Sequence, residues 1–158
     1  MAPPATPEAR LAELGLTLPV LSPPRGRYVR ARRHGDVLYL AGHGPAPDAA
    51  GVRPTGRVGA EFGPDEAYDL ARRAGLGLLA TLASELGELS RVRAILRVFG
   101  MVAVAPGFDA TPGVIDGCSD LLVAVFGEEV GRHARSAVGV AALPHGLPVE
   151  IEAVVAVD

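Results

Sequence analysis

Apolar residues recur at helical spacing in two segments of the chain. After Pro64 they return every three or four positions until Gly87, a residue type that commonly ends helices. A second helix is predicted to begin with Thr111 as its cap and Pro112 in its first turn, and to run to Gly127. The buried face of the first helix comprises Ala67, Leu70, Ala71, Ala74, Leu78 and Leu82. Each helix therefore has one face to bury against the rest of the domain.

Five β-strands are predicted from apolar or alternating runs bounded by turn residues. They cover Tyr28–Arg33, Val37–Ala41, Val92–Val104, Ser136–Leu143 and Val149–Val157. The first two form a hairpin, and the last two are joined by a turn over residues 144–148. The order ββ-α-β-α-ββ predicts an α+β fold, a mixed sheet with the two main helices packed on one face. The other sheet face then needs a cover, and a second subunit is the simplest.

The N-terminal part of the chain is predicted to be an extension of this domain. Residues 1–5 are expected to be disordered, and Thr6 is a helix cap that predicts a short helix ending near Leu14. We therefore expect an extension over residues 1–25 and a domain over residues 26–158.

Two carboxylates begin the last, otherwise apolar strand. Alternation places Glu150 and Glu152 on one face of the sheet, with Val149 and Ile151 on the other. The pattern allows two interpretations: the strand emerges into solvent there, or at least one carboxylate lines a polar site.

Arg135 precedes the other C-terminal strand. It is either a strand-end residue in a surface ion pair or an anion clamp, because a guanidinium matches a carboxylate bidentately. If the last two strands pair as a hairpin, Arg135 lies opposite Val157, and about seven residues, or ~23 Å, separate it from Glu150. A site that uses both residues is then expected between subunits.

Composition excludes several chemistries. All 15 basic residues are Arg, and without Lys neither Schiff-base catalysis nor a Walker-type phosphate loop is possible. One Cys and four His exclude a structural zinc cluster and a disulfide framework. The net charge of −3 argues against general nucleic-acid binding. The single Cys, the lack of a visible secretory signal and the lack of a ~20-residue apolar stretch lead us to expect a cytoplasmic protein.

Three further features leave the choice between structure and function open. The Arg-rich residues 25–33 form either a solvated strand face or a surface for an anion or RNA. His43 lies at a strand end, where a lone His is more often structural than catalytic, and His133 is close enough to Arg135 to border the same site. Cys118 lies on the apolar side of the second helix and is interpreted as structural.

The C-terminal run RSAVGVAALPHGLPVEIEAVV, Arg135 to Val155, resembles the signature of the RidA/YjgF family, also named endoribonuclease L-PSP. The Arg-Ser pair, the Leu-Pro turn and the Val-Glu-Ile-Glu strand agree in order and spacing. Residues 37–45 are similar to the first hairpin of the family, and residues 113–140 resemble a longer-chain YjgF-like subgroup.

The resemblance implies a chorismate-mutase-like fold, a homotrimer and clefts between subunits. It further implies a deaminase that hydrolyses reactive 2-imino and enamine acids, such as 2-aminoacrylate, to 2-keto acids and ammonia without a metal or cofactor. Carried over, Arg135 binds the substrate carboxylate and Glu150 activates the water. Tyr28 and Gly42 complete the pocket, with His43 at its rim.

Departures from the family leave two other functions to consider. Ala41-Gly42-His43 stands where the family commonly has Ser-Gly-Gln, and either Asp116 or Ser119 falls near a helix position that is often Asn. The alternatives to a deaminase are a non-catalytic trimer that binds a small carboxylate and, less favoured, an endoribonuclease.

Overall fold

The computed structural model describes residues 5–158. The disorder expected for residues 1–5 therefore lies outside the described residues, except at Ala5. The helices are α1 Pro7–Glu13, α2 Pro64–Leu86 and α3 Thr111–Gly131, and the strands are β1 Ala31–His34, β2 Val37–His43, β3 Val92–Ala103, β4 Ala134–Val140 and β5 Val149–Val157. The predicted order of elements and the α+β class are confirmed. Among the described residues, no helix is long and apolar enough to cross a membrane.

The five strands form one mixed sheet in the order β1-β2-β5-β3-β4. β3 and β4 run parallel, and the other neighbouring pairs are antiparallel. The predicted hairpin of the last two strands is wrong, because β3 lies between β4 and β5. A short turn after β4 favours a hairpin, but β5 instead fills the centre of the sheet and pairs with both β2 and β3.

Both long helices pack on one face of the sheet, as predicted. The helices approach each other closely at Gly117, where a β-carbon would overlap the backbone carbonyl of Tyr68, and at Gly75, where a β-carbon would meet Cys118. Cys118 is fully buried there, and burial raises the pKa of its thiol to about 12, against a weaker opposing effect of Arg135. Its surroundings support the structural interpretation made from the sequence.

The opposite face of the sheet carries apolar residues that no helix covers. Cross-strand partners share a face, so the register gives three rows. These rows are Tyr39–Val154–Arg97, Glu152–Phe99–Ser136 and Glu150–Met101–Val138. Tyr39 and Val138 are exposed. We call this surface the open face.

Several predicted boundaries differ from the structure. β4 spans Ala134–Val140 and not Ser136–Leu143, and β2 continues to His43. β1 begins at Ala31, so Tyr28 to Arg30 precede the sheet. Thr111 does not cap α3, since it is the first helical residue and its hydroxyl donates to the Ala137 carbonyl at 3.1 Å. α3 continues past Gly127 to Gly131, and Gly127 interrupts the helix with a φ of 82°.

α1 packs against the same core as the sheet domain. Thr6 accepts a hydrogen bond from the Ala9 backbone N–H, as expected of a cap, and Leu11 is buried in the core. The Arg10 guanidinium donates to the Val125 carbonyl at 3.2 Å, and Glu8 accepts from the Leu89 N–H at 2.6 Å. The division at residue 25 stays a prediction, while α1 itself shares its core with the domain.

Candidate functional site

Glu150 lies at the start of β5, on the open face, directly over Gly42 of β2. The pairing of β2 with β5 shifts register between Leu40 and His43, which brings Gly42 out of the regular ladder. A β-carbon at residue 42 would overlap the Glu150 carboxylate. Only Gly at residue 42 leaves the Glu150 side chain in this position.

A cavity of about 230 Å³ opens beside this pair. It brings together three of the predicted site residues, Tyr28, Gly42 and Glu150. The remaining lining is Ser22, Pro23, Arg25, Arg30, Gly44, Arg53, Pro144, His145 and Leu147. We call this space the Glu150 cavity. These three residues, which were predicted from the sequence, therefore line one cavity within a single chain.

The Glu150 carboxyl is half-buried, and its surroundings destabilise the ionised form relative to a carboxyl in water. Burial raises its pKa, and the negative charge of Glu152 on the same face raises it further. A carboxylate whose pKa is shifted toward neutrality is a better proton acceptor than an ordinary surface glutamate. The side chain is suited to take a proton from a bound water.

Arg135 lies in a different cavity, of about 370 Å³, at the edge formed by β4 and α3. Its Nη1 donates to Asp116 Oδ1 at 2.8 Å and to Ser119 Oγ at 3.1 Å, and its Nη2 faces the Pro112 carbonyl at 3.4 Å. Within residues 5–158, the Nε–H and the second Nη2–H make no hydrogen bond. Two N–H groups therefore remain for a carboxylate, the number that bidentate binding uses.

His133 extends this network behind Arg135. Its Nδ1–H donates to the Gly131 carbonyl at 2.7 Å, which leaves Nε2 to accept from the Ser119 hydroxyl at 2.9 Å. Burial lowers the pKa of His133, the Gly131 hydrogen bond opposes this shift, and Arg135 adds to it, so the neutral ring matches the donor pattern. Ser119 and Asp116 hold one end of the guanidinium in a fixed orientation.

Arg135 and Glu150 do not meet within one chain. Arg135 pairs with Val98 and contacts α3, whereas Glu150 pairs with Met101, three residues further along β3 and on the open face. The ~23 Å separation derived from a hairpin is wrong because the strands are not neighbours. By register the two residues are about 10 Å apart along the strand direction, and the sheet itself lies between their side chains.

His43 is buried and directed inward. Its Nδ1–H donates to the Ala41 carbonyl at 2.6 Å, and its Nε2 accepts from the Thr81 hydroxyl at 2.7 Å. Burial lowers the pKa of His43, the Ala41 hydrogen bond opposes this shift, and Arg30 adds to it. With both nitrogens engaged in the fold, His43 supports the β2 bulge and does not line the Glu150 cavity.

The structure places several further polar residues in the two cavities, and of these sequence reasoning missed Arg53. Arg25 and Arg30 lie in the Arg-rich segment, which was interpreted as either a solvated strand face or a surface for an anion or RNA, and this part of the chain precedes the sheet. Arg53 belongs to a long loop, and no local pattern connects it to Glu150. Asp116 and Ser119 both contact Arg135, so the helix position that is often Asn in the family has two counterparts here.

The protein is a small α+β protein. Two helices cover one face of its five-stranded mixed sheet, and a glutamate lies at the start of the central strand. The sequence model described as "YjgF/chorismate mutase-like, putative endoribonuclease" matches residues 8–148. The chain belongs to this YjgF family.

Relatives agree with this assignment over nearly the whole chain. The chain is 40% identical to Protein TCP17 of Trypanosoma cruzi over 147 residues, which is 93% of this chain and 91% of that protein. The crystal structure of the protein Atu1372, described as of unknown function, from Agrobacterium tumefaciens is 38% identical, with a TM-score of 0.87 and coverage of 97% and 94%. A "putative endoribonuclease" from Shewanella oneidensis is 32% identical, with a TM-score of 0.90 and coverage of 96% and 99%.

Proposed function

We propose that this protein is a hydrolytic deaminase of 2-imino acids and their enamine tautomers, acting in sites shared between subunits. The observation that carries the proposal is the half-buried carboxyl of Glu150, which lies over Gly42 and lines a small polar cavity. A carboxylate in that place can hold a water molecule and take its proton.

The reaction balances with water as the only co-reactant. An enamine first gains a proton at C3, loses one from nitrogen and so becomes the imine. Water attacks C2 of the imine, a C–O bond forms, and Glu150 accepts the proton that the water loses. The same proton passes to the nitrogen and gives the carbinolamine. The proton of the carbinolamine hydroxyl then passes to the nitrogen, again through Glu150, the C–N bond breaks, ammonia leaves, and the carbonyl of the 2-keto acid forms. Because an imine carbon is already electrophilic, positioning and proton transfer supply most of the acceleration.

Arg135 is the proposed anchor for the substrate carboxylate. Its guanidinium keeps two N–H groups free of contacts in the described part of the chain, and Asp116 and Ser119 orient it. Its side chain is 22% exposed, so water only partly screens a bound carboxylate. Bidentate binding here would place C2 of the substrate at a fixed distance from the guanidinium.

The site requires more than one copy of the chain. Glu150 and Arg135 lie on opposite sides of one protomer's sheet, so a cleft that contains both must draw them from two protomers. The uncovered apolar residues of the open face support self-association. A cyclic homotrimer, the state implied by the family resemblance, would form three equivalent clefts of this kind.

The test is a coupled assay with the purified protein. An amino-acid oxidase or a serine dehydratase generates the imine or enamine in situ, and release of the 2-keto acid is followed with and without the protein. We expect release faster than free hydrolysis, with the acceleration reduced at least 100-fold in Arg135→Ala and in Glu150→Gln.

Three outcomes would contradict the proposal. One is no acceleration with any of several amino-acid precursors, accompanied by Arg135-dependent binding of a 2-keto acid, which would indicate a carboxylate-binding protein without turnover. The second is an unchanged rate in Arg135→Ala. The third is RNA cleavage that survives repeated purification and is lost in Glu150→Gln, which would indicate an endoribonuclease.

A further inference from the structure

Three arginines line the Glu150 cavity, and none has a carboxylate partner among the described residues. They are Arg25, Arg30 and Arg53. The salt bridges of the described chain involve other arginines, Arg93, Arg132 and Arg135. Arg30 donates to the Ser22 carbonyl, and Glu150 is the only carboxylate in the lining. The cavity is therefore a local region of positive charge in a chain whose net charge is −3.

A second space adjoins the Glu150 cavity and shares two of these arginines. It has a volume of about 150 Å³ and is lined largely by loop residues 19–22, by Gly42 and His43 at the end of β2, and by loop residues 44–47. Arg30 and Arg53 line both spaces, so a ligand that extends from one space to the other passes these two residues. A substrate whose reacting carbon is next to Glu150 has room for a side chain that extends toward these two arginines.

We infer that the preferred substrate carries a second carboxylate, and that this protein acts on 2-imino dicarboxylic acids derived from acidic amino acids. The inference rests on the proposed deaminase function. Three guanidinium groups and one carboxylate give the cavity a formal charge of about +2, which complements the two carboxylates of such a substrate. The α-carboxylate goes to Arg135 of the neighbouring protomer, and the side-chain carboxylate goes to Arg30 and Arg53.

The size of the cavity favours a compact dianion of four or five carbons. The cavity of about 230 Å³ and the adjoining space of about 150 Å³ together lie near the lower end of the ~300–1,000 Å³ typical of ligand sites. The reaction balances as before: the imino dicarboxylate and one water give the 2-keto dicarboxylate and ammonia. A guanidinium also binds phosphate bidentately, so the experiment must separate a carboxylate from a phosphate.

The binding experiment compares two ligands that differ only at the far end. 2-Oxoglutarate and 2-oxopentanoate have the same chain length, and one ends in a carboxylate where the other ends in a methyl. Titration calorimetry on the intact oligomer should give at least tenfold tighter binding of 2-oxoglutarate, which corresponds to about 1.4 kcal/mol. The advantage should disappear in Arg30→Gln/Arg53→Gln.

Arg27→Gln is the matched control for the variants. Arg27 is exposed in the same loop as Arg25, does not line the cavity, and its loss changes the net charge by the same amount per substitution. The ratio of the two affinities should be unchanged in this variant. An equal fall in Arg27→Gln, or an advantage that survives in Arg30→Gln/Arg53→Gln, would overturn the inference, because bulk charge or another site would then explain the binding.

The kinetic experiment separates failure of this inference from failure of the proposed function. Imines are generated by an amino-acid oxidase from glutamate and from norvaline, and kcat/KM is compared. A ratio of at least ten in favour of the glutamate imine supports the inference. Acceleration of the norvaline imine alone overturns the inference and leaves the deaminase function intact, whereas no acceleration of either imine contradicts the function itself. Inorganic phosphate that competes at lower concentration than glutarate would overturn the assignment of a carboxylate.

Discussion

Gly42 and the Glu150 carboxyl occupy adjoining space, so the residue type at position 42 determines where that carboxyl can lie. The Cβ of any other residue would overlap it. The backbone at Gly42 does not have a positive φ, so alanine can adopt this conformation without strain. Glycine is needed here because a side chain at residue 42 would occupy the space of the Glu150 carboxyl.

Gly42→Ala should therefore lower activity while the fold persists. The added methyl group displaces the Glu150 carboxyl, and we expect kcat/KM for imine hydrolysis to fall about 100-fold, as displacements of about 1 Å commonly do. The midpoint of thermal unfolding should change little, since Glu150 can rotate toward the cavity. The double variant Gly42→Ala/Glu150→Asp, with a shorter acid, should recover part of the rate. Full activity in Gly42→Ala would refute the position assigned to Glu150.

The raised pKa of Glu150 makes a specific prediction about stability and pH. Its folded-state pKa lies above its unfolded value, because burial and the charge of Glu152 disfavour the ionised form. The native state then binds more protons than the unfolded state between these two values, so stability falls as pH rises from about 4.5 through the folded pKa.

Glu150→Gln removes this titration. The difference in urea midpoint between variant and wild type should grow in favour of the variant as pH rises from 4 to 8. Denaturation curves at several pH values measure it directly. A difference that is constant across this range would show that Glu150 titrates with an ordinary pKa.

Thr81 supplies the only hydrogen bond to Nε2 of buried His43 among the described contacts. Thr81→Val keeps the shape of the side chain but leaves this nitrogen without a donor, and it should destabilise the protein by about 1–3 kcal/mol. Thr81→Ser retains the hydroxyl and should cost less. The free energies of unfolding in urea compare the two variants. If Ser and Val have equal effects, the hydrogen bond does not hold His43, and its role must be sought at the cavity.

At the scale of whole elements, local patterns predict what an element is better than what it pairs with. Apolar spacing predicts α2 and α3 because the buried and the exposed face of a helix are both formed by residues of one continuous segment. The pairing of β4 and β5 depends instead on β3, some forty residues earlier in the chain, and a short connection falsely indicates a hairpin. The same limit applies to the site: alternation places Glu150 on its correct face, whereas Arg53 reaches the cavity through a loop that has no periodicity.

The contact between α2 and α3 depends on a glycine in each helix. At Gly117 the obstacle to a β-carbon is the backbone carbonyl of Tyr68, which cannot rotate away. Gly117→Ala should therefore push the helices apart and destabilise the fold by about 2–3 kcal/mol. Gly113 lies on the same helix with open space around it, so Gly113→Ala should be neutral or stabilising by up to about 1 kcal/mol. Equal thermal midpoints for the two variants would show that the helices do not meet at Gly117.

At the scale of the whole molecule, the sheet divides the proposed machinery between its two sides. The helix side carries Arg135 with Asp116 and Ser119, and the open face carries Glu150 with its cavity. If the proposed clefts exist, one protomer supplies the carboxylate anchor and its neighbour supplies the proton acceptor. Catalysis would then be a property of the proposed interface.

Mixing two inactive variants tests this arrangement. Arg135→Ala chains keep an intact Glu150, and Glu150→Gln chains keep an intact Arg135. In randomly mixed cyclic trimers, about one cleft in four would join the intact Arg135 of one chain to the intact Glu150 of the next. Co-expression of the two variants, or refolding them together, should therefore restore about a quarter of the wild-type rate when the rate is averaged over all clefts.

The control for subunit mixing is a chain that lacks both Arg135 and Glu150 and so cannot restore a cleft. Arg135→Ala mixed with the double variant Arg135→Ala/Glu150→Gln should remain inactive, because no cleft regains an arginine. Activity in this control would indicate that Arg135 is dispensable. The first mixture could also stay inactive while mass spectrometry shows mixed oligomers. Each site would then lie within one chain. Because Arg135 and Glu150 lie on opposite sides of the sheet of one chain, they could not act together in such a site.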